Sequence, residues 1–188
     1  TTGFEPGIIR TREGGDRIAF YKGAHPARTV RIWKVHGSLD WFEDPEGRVV
    51  SLPIPEKLPD ALSPLIVTPG VSKYERTHDE PFRSAIQGAD NALSRAASFL
   101  CVGYGFRDHH IQPKIEDMCR HQNIPVVVLA RTLTDEAKAF LSNNAGQKYL
   151  ALEKDNDGTR VFSPEHPDGI TVAKPDLWAF KRFNEMVL

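Results

Sequence analysis

Helix-like and strand-like patterns alternate through the second half of the chain, and this alternation restricts the possible folds more than any other feature of the sequence. Apolar side chains between residues 82 and 97 recur at three, four and seven positions, which predicts an amphipathic helix with Pro81 in its first turn. The apolar run 98–102 follows at once and stops at Gly103, as expected for a strand buried on both faces of a sheet. The predicted order continues with a helix over about 112–121, a strand at 125–130, a helix over about 134–143 that Thr134 caps, and a strand at 149–152. A loop follows over 156–168, with at most a short strand at 160–162, and a helix over 177–188 comes last. Strands separated by short helices predict an α/β fold with a parallel sheet and flanking helices.

The first half of the chain carries shorter and less regular patterns. Residues 29–35 are rich in β-branched and aromatic side chains, which predicts a strand that delivers His36 to its carboxyl end. Several prolines within 44–64 exclude a continuous helix and predict a long loop with at most a short strand at 48–52. Residues 64–70 predict another short buried strand that a Pro-Gly turn ends.

Charge and cysteine content exclude several classes of function. Lys plus Arg is 24 and Asp plus Glu is 25, so the formal net charge of −1 does not favour nucleic acid or anionic lipid through bulk electrostatics. The longest apolar run, 126–130, is far shorter than the ~18 residues of a membrane-spanning helix. Cys101 and Cys119 are too far apart for a CxxC pair, so this chain cannot build a four-thiolate zinc site. We expect a soluble cytoplasmic protein with no bound zinc.

Three clusters of candidate functional residues follow predicted strands, at 34–39, 67–70 and 103–110. Ligands of parallel α/β sheets bind at the carboxyl ends of the strands, where loops and helix N-termini present unpaired N–H groups. We therefore take His36 as a candidate acid or base. The candidate ligand-binding residues are Gly37, Ser38, Thr68, Pro69, Gly103, Tyr104, Gly105, Phe106, Asp108 and His110.

The functional interpretation of His36 has a structural alternative. A histidine with a reference pKa of ~6.5 takes up or releases a proton near neutral pH, and Gly37 beside it would let a ligand approach the main chain closely. A hydrogen-bonded structural histidine at the end of a strand would have the same local sequence.

The segment 103–110 is open to two interpretations as well. Gly103 and Gly105 remove two side chains directly after a strand, the two aromatic residues supply flat surfaces, and Asp108 could accept hydrogen bonds from hydroxyl groups. The alternative is a tight turn with aromatic packing in which Asp108 caps the next helix. Adjacent His109 and His110 do not easily face one metal ion, so a metal site is not expected.

In this order the clusters resemble the sirtuin-like superfamily, and particularly the bacterial sirtuin-like domains of antiphage defence systems. Residues 34–39 resemble the family's K-[LV]-H-G-S-[LI] segment, and residues 103–111 resemble its G-Y-[SG]-F-x-D-x-H-I segment. The resemblance covers about Arg28 to Leu152, and the two motifs at this separation are more specific than either alone. It implies a Rossmann-like NAD-binding domain.

The resemblance also implies roles for individual residues. His36 corresponds to the catalytic base that acts at the nicotinamide ribose, and Gly103, Tyr104, Gly105 and Asp108 would line the adenosine side of the site. NAD is then the substrate, and in the defence proteins it is hydrolysed to nicotinamide and ADP-ribose. Because family members often form oligomers or pair with ATPases or phage-protein sensors, we expect a homo-oligomer and a partner of one of these kinds.

Two departures from the family pattern refine these expectations. Zinc-binding sirtuins carry four cysteines after the H-G segment, whereas residues 43–64 contain none, which favours NAD hydrolysis over peptide deacylation. The family's Gly-rich loop and Asn-x-Asp segment are not found in residues 1–27. We therefore expect residues 1–188 to be one sirtuin-like domain that is incomplete at its N-terminal side and inactive by itself. The alternatives are a non-catalytic module that binds NAD or ADP-ribose, and an NAD-dependent deacylase; a nuclease would need an acidic metal cluster that the sequence does not offer.

Overall fold

The computed structural model describes residues 10–11, 21–22, 24–26, 30–53, 57, 60–67, 79–156 and 158–187. The chain divides into two compact units, Thr1–Ala89 and Asp90–Leu188. Each unit is described by itself. Two compact units can belong to one domain, so the expectation of a single domain stays a prediction.

The first unit contains a small antiparallel sheet. Its strands run in the order β1-β5-β4-β6, and β2 pairs with β3 in a separate two-stranded ribbon. The bounds are β1 Arg10–Thr11, β2 Tyr21–Lys22, β3 His25–Pro26, β4 Gly37–Glu43, β5 Val49–Ser51 and β6 Ser63–Ile66. Helix α1, Phe82–Leu93, begins in this unit. Trp41 of β4, Leu65 of β6 and Phe82 of α1 form its buried cluster.

The strand predicted at 29–35 is wrong. Residues 30–34 do not form a strand; the strand begins at Gly37, after His36. The side chains of Val30 and Ile32 are 78% and 51% exposed, so β-branched composition alone did not make this segment a strand. The segment packs on α1 instead, where a Cβ at Gly88 would lie 2.4 Å from the Trp33 ring.

The other two strand predictions for this half are confirmed within the described residues. The short strand expected at 48–52 is β5, which pairs with β4. The strand expected at 64–70 is β6, with Leu65 buried, although its neighbours Ser63 and Pro64 are exposed.

The second unit is built on a five-stranded mixed sheet flanked by helices, which confirms the α/β prediction. The strand order is β11-β10-β9-β8-β7; β7, β8 and β9 are parallel, and β10 and β11 are antiparallel to their neighbours. The bounds are β7 Phe99–Val102, α2 Gln112–Gln122, β8 Val126–Ala130, α3 Asp135–Asn143, β9 Tyr149–Asp155, β10 Gly158–Ser163, β11 His166–Ala173 and α4 Phe180–Val187.

Helices cover both faces of this sheet. Helices α2 and α3 bury Met118 and Phe140 against side chains of one face, including Val128 at its centre. Helix α4 packs Phe183 against Leu129 on the other face. Apolar side chains that alternate along β8 therefore reach two separate cores, which explains why that strand is an unbroken apolar run.

Two predictions for this unit need correction. The strand at 99–102 is buried on one face only, since Leu100 and Val102 are 43% and 50% exposed. The segment predicted as a loop at 156–168 is largely the hairpin of β10 and β11, and the short strand allowed at 160–162 lies within β10. Close main-chain approach makes that hairpin possible: a Cβ at Gly158 would lie 2.3 Å from the carbonyl oxygen of Val172.

Candidate functional site

His36 lies in a tight turn that leads into β4. The Gly37 N–H donates to the carbonyl of Lys34 at 3.0 Å, and the Val67 N–H donates to the carbonyl of His36 at 2.9 Å. Gly37 has φ +80°, and a Cβ there would lie 2.1 Å from the carbonyl oxygen of Leu65. Only glycine fits such a position, so the histidine is held on a main chain pressed against β6.

The imidazole of His36 is half-buried, and its Nε2 atom is shielded from solvent. Main-chain hydrogen bonds on both sides fix the backbone of the turn that carries this ring. Imidazole groups can exchange a proton with a bound group near neutral pH.

A polar network joins the turn to β4 and β5. The ammonium of Lys34 donates to Ser38 Oγ at 2.6 Å and to Asp40 Oδ1 at 3.2 Å. Ser38 also donates to Asp40 Oδ1, and Ser51 of β5 donates to Asp40 Oδ2 at 2.9 Å. Burial would raise the pKa of the Asp40 carboxyl, but the hydrogen bonds from Ser38, Ser51 and Lys34 together hold its pKa below the usual 3.8. The hydroxyl of Ser38 is therefore part of this network.

In the second unit, the end of β7 leaves open space beside the main chain. Gly103 has φ +63°, and its N–H donates to the carbonyl of Leu129 at 2.8 Å. In the described part of the chain, no atom lies within 4 Å of where its Cβ would be. A ligand could approach the backbone closely at this point.

Thr134 links this turn to helix α3. Its hydroxyl donates to the carbonyl of Gly105 at 2.7 Å and accepts from the Ala137 N–H at 3.1 Å. Thr134 is thus the N-cap of α3, as predicted, and it also anchors the loop that follows β7.

The two aromatic residues of the turn point into the core. Phe106 is 1% exposed and stacks on Phe140 with ring centroids 4.4 Å apart, and Tyr104 packs on Phe106 at 4.7 Å. Burial, together with the nearby Asp108 charge, raises the pKa of Tyr104. Its hydroxyl is buried and has no hydrogen-bond partner among the described residues. The packing alternative therefore describes the Phe106 side chain.

Asp108 accepts main-chain hydrogen bonds, one of the two roles that the sequence allowed for it. Its Oδ1 atom accepts from the N–H groups of His110 at 2.8 Å and Ile111 at 3.2 Å, just before α2 begins. These N–H groups belong to the turn that precedes α2; the N-cap residue of the helix is Ile111, and no side chain caps it. Asp108 therefore stabilises the turn that leads into α2, and a contact with a ligand stays a prediction.

A cavity of about 450 Å³ opens beside Asp108, within the size range of small-molecule sites. We call it the Asp108 cavity, and its lining residues are Phe106, Arg107, Asp108, His109, Gln112, Pro113, Glu116 and Glu136. Arg107 and Glu136 form an ion pair across it at 3.0 Å. Carboxylate, amide and guanidinium groups of this kind suit a ligand rich in hydroxyl groups.

A model of the SIR2-like domain matches residues 4–161, which include both the His36 turn and the segment 103–110. The chain belongs to the SIR2-like family. SIR2-like domains use NAD as their substrate, so a function connected with NAD follows at the level of the family. No curated protein matches the chain.

The SIR2-like fold distributes the predicted site residues as two groups. Gly37 and Ser38 share the turn of His36 in the first unit. The residues of 103–110 lie together after β7 in the second unit, and Phe106 and Asp108 line the cavity there. Thr68 and Pro69 lie outside the described residues.

Some residues of the Asp108 cavity were not among the sequence-based candidates. Arg107 lies inside the motif, but Glu136 follows the next strand of the SIR2-like sheet, in the first turn of α3. Applying the strand-end rule to β8 as well as β7 would have found Glu136. Gln112 and Glu116 lie one helical turn apart on α2 and are hydrogen-bonded to each other at 2.7 Å, a pairing that sequence alone does not distinguish from a solvated helix face.

Metal-binding groups and membrane-spanning helices are both absent from the part of this SIR2-like chain that the structure describes. Over those ranges, no three His, Cys, Asp or Glu side chains form a group that could hold a metal ion. Among the helices of the same ranges, none has the length and apolarity to cross a membrane.

Proposed function

We propose that this SIR2-like protein hydrolyses NAD at the bond between nicotinamide and ribose. The bond from the ribose C1′ atom to the pyridinium nitrogen breaks, and its electron pair leaves with nicotinamide. Water supplies the oxygen that bonds to C1′, a base accepts the proton, and the products are nicotinamide, ADP-ribose and one proton. We assign His36 as that base.

The family match carries this proposal. It spans the two segments that resemble the sirtuin-like motifs, and the family uses NAD as its substrate. Departure of nicotinamide develops positive charge on the sugar, so a positioned general base contributes about 10²–10⁴-fold to the rate. The main-chain hydrogen bonds around His36 and the glycine beside it favour such a fixed position.

The second motif supports a role in holding the other end of the dinucleotide. The open space at Gly103 would admit a ligand to the main chain, and the Asp108 cavity offers polar partners for ribose hydroxyl groups. We assign this side to adenosine. The cysteine-free segment 43–64 favours hydrolysis over peptide deacylation.

The decisive measurement is nicotinamide release from NAD by the full-length protein. We expect His36→Ala to lower the rate about 10²–10⁴-fold, the contribution of a general base. His121→Ala is the matched control, because this exposed histidine of α2 lines neither the His36 turn nor the Asp108 cavity, and its rate should equal that of the wild type.

Two results would contradict the proposal. Undiminished turnover in His36→Ala would remove the role of this histidine. Calorimetric binding of NAD or ADP-ribose by the wild type without any nicotinamide release would favour the non-catalytic module. A parallel assay with an acetyl-lysine peptide distinguishes hydrolysis from deacylation, because a deacylase transfers the acyl group to the ribose and a hydrolase leaves the peptide unchanged.

We also propose a setting in bacterial antiphage defence, with the protein as a homo-oligomer that works with an ATPase or a phage-protein sensor. The resemblance of its two motifs to those of the defence proteins supports this setting. Light scattering of the purified protein tests self-association. Phage plating efficiency with and without the gene, and with His36→Ala, tests the defence role.

A further inference from the structure

A second cavity in the Asp90–Leu188 unit has a different chemistry from the Asp108 cavity. It has a volume of about 580 Å³ and lies where β9 ends and where the chain passes from β11 to α4. We call it the Trp178 cavity, and its lining residues are Lys154, Asn156, Lys174, Pro175, Asp176, Trp178 and Arg182. The two cavities share no lining residue.

Positive charge dominates the lining of the Trp178 cavity. Lys154 lies on β9, Lys174 directly after β11 and Arg182 on α4, and Asp176 is the one carboxylate among the described lining residues. Arg182 pairs with Glu185 at 2.9 Å, whereas neither lysine has a carboxylate partner among the described residues. Cationic groups gathered around one concavity repel one another, and an anion bound between them would relieve that repulsion.

The indole of Trp178 forms part of the wall of the same cavity. Its Nε1 atom is buried and has no hydrogen-bond partner in the described part of the chain. The ring thus offers a flat aromatic surface beside the cationic groups. The Lys154 ammonium lies 5.9 Å from the centre of the same ring, so cationic charge and indole border one space.

The cavity is built on fixed parts of the fold. Trp178 packs against the core cluster of Leu129, Leu152 and Phe183. The fully buried Thr159 of β10 donates its hydroxyl hydrogen to the carbonyl of Pro175 at 3.1 Å, which ties the segment before α4 to the sheet. Lining groups on an ordered frame lose little freedom when a ligand binds.

We propose that the Trp178 cavity binds a small molecule with two or more linked phosphate groups. The ammonium groups of Lys154 and Lys174 and the guanidinium of Arg182 contact the phosphate oxygens, because phosphate accepts charge-assisted hydrogen bonds from these groups. The ligand is either a nucleotide, whose base would contact Trp178, or an inorganic polyphosphate. This inference does not depend on NAD hydrolysis, because it rests on residues outside the site proposed for that reaction.

Isothermal titration of the 188-residue chain with tripolyphosphate, ADP and adenosine tests the proposal. We expect tripolyphosphate and ADP to bind more tightly than adenosine, and we expect the affinity for both phosphate compounds to fall as salt concentration rises. Tighter binding of ADP than of tripolyphosphate identifies the nucleotide as the source of the phosphates, and the reverse order identifies polyphosphate.

Three variants locate the binding. Lys154→Ala combined with Lys174→Ala should weaken binding of tripolyphosphate at least tenfold, and the fold should survive because both side chains are exposed. Lys181→Ala is the matched control, an exposed lysine of α4 beside Arg182 that does not line the cavity, and it should leave affinity unchanged. Arg107→Ala alters the Asp108 cavity and should likewise have no effect.

Several outcomes would overturn the proposal. They are the absence of binding by tripolyphosphate and ADP at millimolar concentration, equal affinity for ADP and adenosine, and unchanged affinity in the double lysine variant. Weakening by Arg107→Ala with no effect of the double lysine change would assign the phosphates to the other cavity. Circular dichroism of every variant excludes loss of the fold as the cause of any change.

Discussion

At the scale of single residues, two glycines of the candidate site differ in what an added methyl group would meet. Gly37 and Gly103 both have positive φ, +80° and +63°. A Cβ at Gly37 would collide with the main chain of Leu65, whereas the space at Gly103 is open among the described residues. Gly37 is therefore required both for its positive φ and for the lack of space beside it, whereas Gly103 is required only for its positive φ.

We expect Gly37→Ala to lower the free energy of unfolding by more than about 2 kcal/mol, because the alanine would adopt a strained φ and the main chain of Leu65 would also have to move. Gly103→Ala should cost only about 1 kcal/mol, the penalty of the left-handed conformation. Urea unfolding followed by circular dichroism measures both. Equal losses in the two variants would contradict the steric interpretation of Gly37.

The sequence could predict some residues of the candidate site and not others. The motif identified His36 and Gly37, because both lie in a contiguous segment. The polar network that joins this turn to β4 and β5 was not predicted, because it depends on Ser51 reaching Asp40 from the neighbouring strand β5. Local composition does not determine which strands pair with each other.

At the scale of elements, Thr134 connects a helix to the turn that follows β7. Thr134→Ala removes both the N-cap acceptor of α3 and the donor to the Gly105 carbonyl. We expect a loss of about 1–2 kcal/mol in the free energy of unfolding, typical of a lost cap. Guanidinium unfolding measures it.

Thr134→Ser is the matched variant, because it keeps the hydroxyl and deletes only a methyl group. It should retain most of the stability that alanine loses. A serine variant as unstable as the alanine variant would mean that packing of the methyl group, and not the two hydrogen bonds, is what Thr134 contributes.

The elements that were predicted correctly have strong local signals. The apolar periodicity after Pro81 predicted α1, although the helix ends at Leu93 and not at 97. The run at 126–130 predicted β8. Only the centre of β10 was predicted, as a short strand at 160–162, and β11 was not, because turn-forming residues are frequent in 156–168 and the close backbone contact at Gly158 joins residues far apart in the segment.

At the scale of the whole molecule, the α/β architecture follows from the order of elements even where individual strands were wrong. The segment at 29–35 failed as a strand, yet the parallel run β7, β8 and β9 has the alternation that the sequence predicts. The cavities were not predictable, because their linings combine residues far apart in the chain, such as Lys154 and Arg182. Local patterns thus predict elements, and tertiary packing creates the sites.

The larger core of the Asp90–Leu188 unit contains both cysteines, and this makes its stability sensitive to alkaline pH. Burial raises the pKa of the Cys119 thiol to about 11, and burial with the neighbouring Cys119 raises that of Cys101 to about 12, from an ordinary value of 9.0. In the unfolded chain both thiols ionise near the ordinary value. Because the thiols have a higher pKa in the folded state, the unfolded chain releases their protons at a lower pH than the folded protein does. The contribution of the two thiols to the free energy of unfolding is therefore fully present below about pH 9 and is lost as pH rises toward 11–12.

We expect the free energy of unfolding to fall by about 1–2 kcal/mol for each thiol between pH 8 and pH 10. Urea unfolding at the two pH values measures this fall. The double variant Cys101→Ala, Cys119→Ala should lose stability at both pH values through the cavities it creates, but its pH dependence over this range should be smaller than that of the wild type by the thiol contribution. If the wild type and the double variant show the same pH dependence, the thiols ionise as readily in the folded protein as in the unfolded chain, and the core is open to water around them.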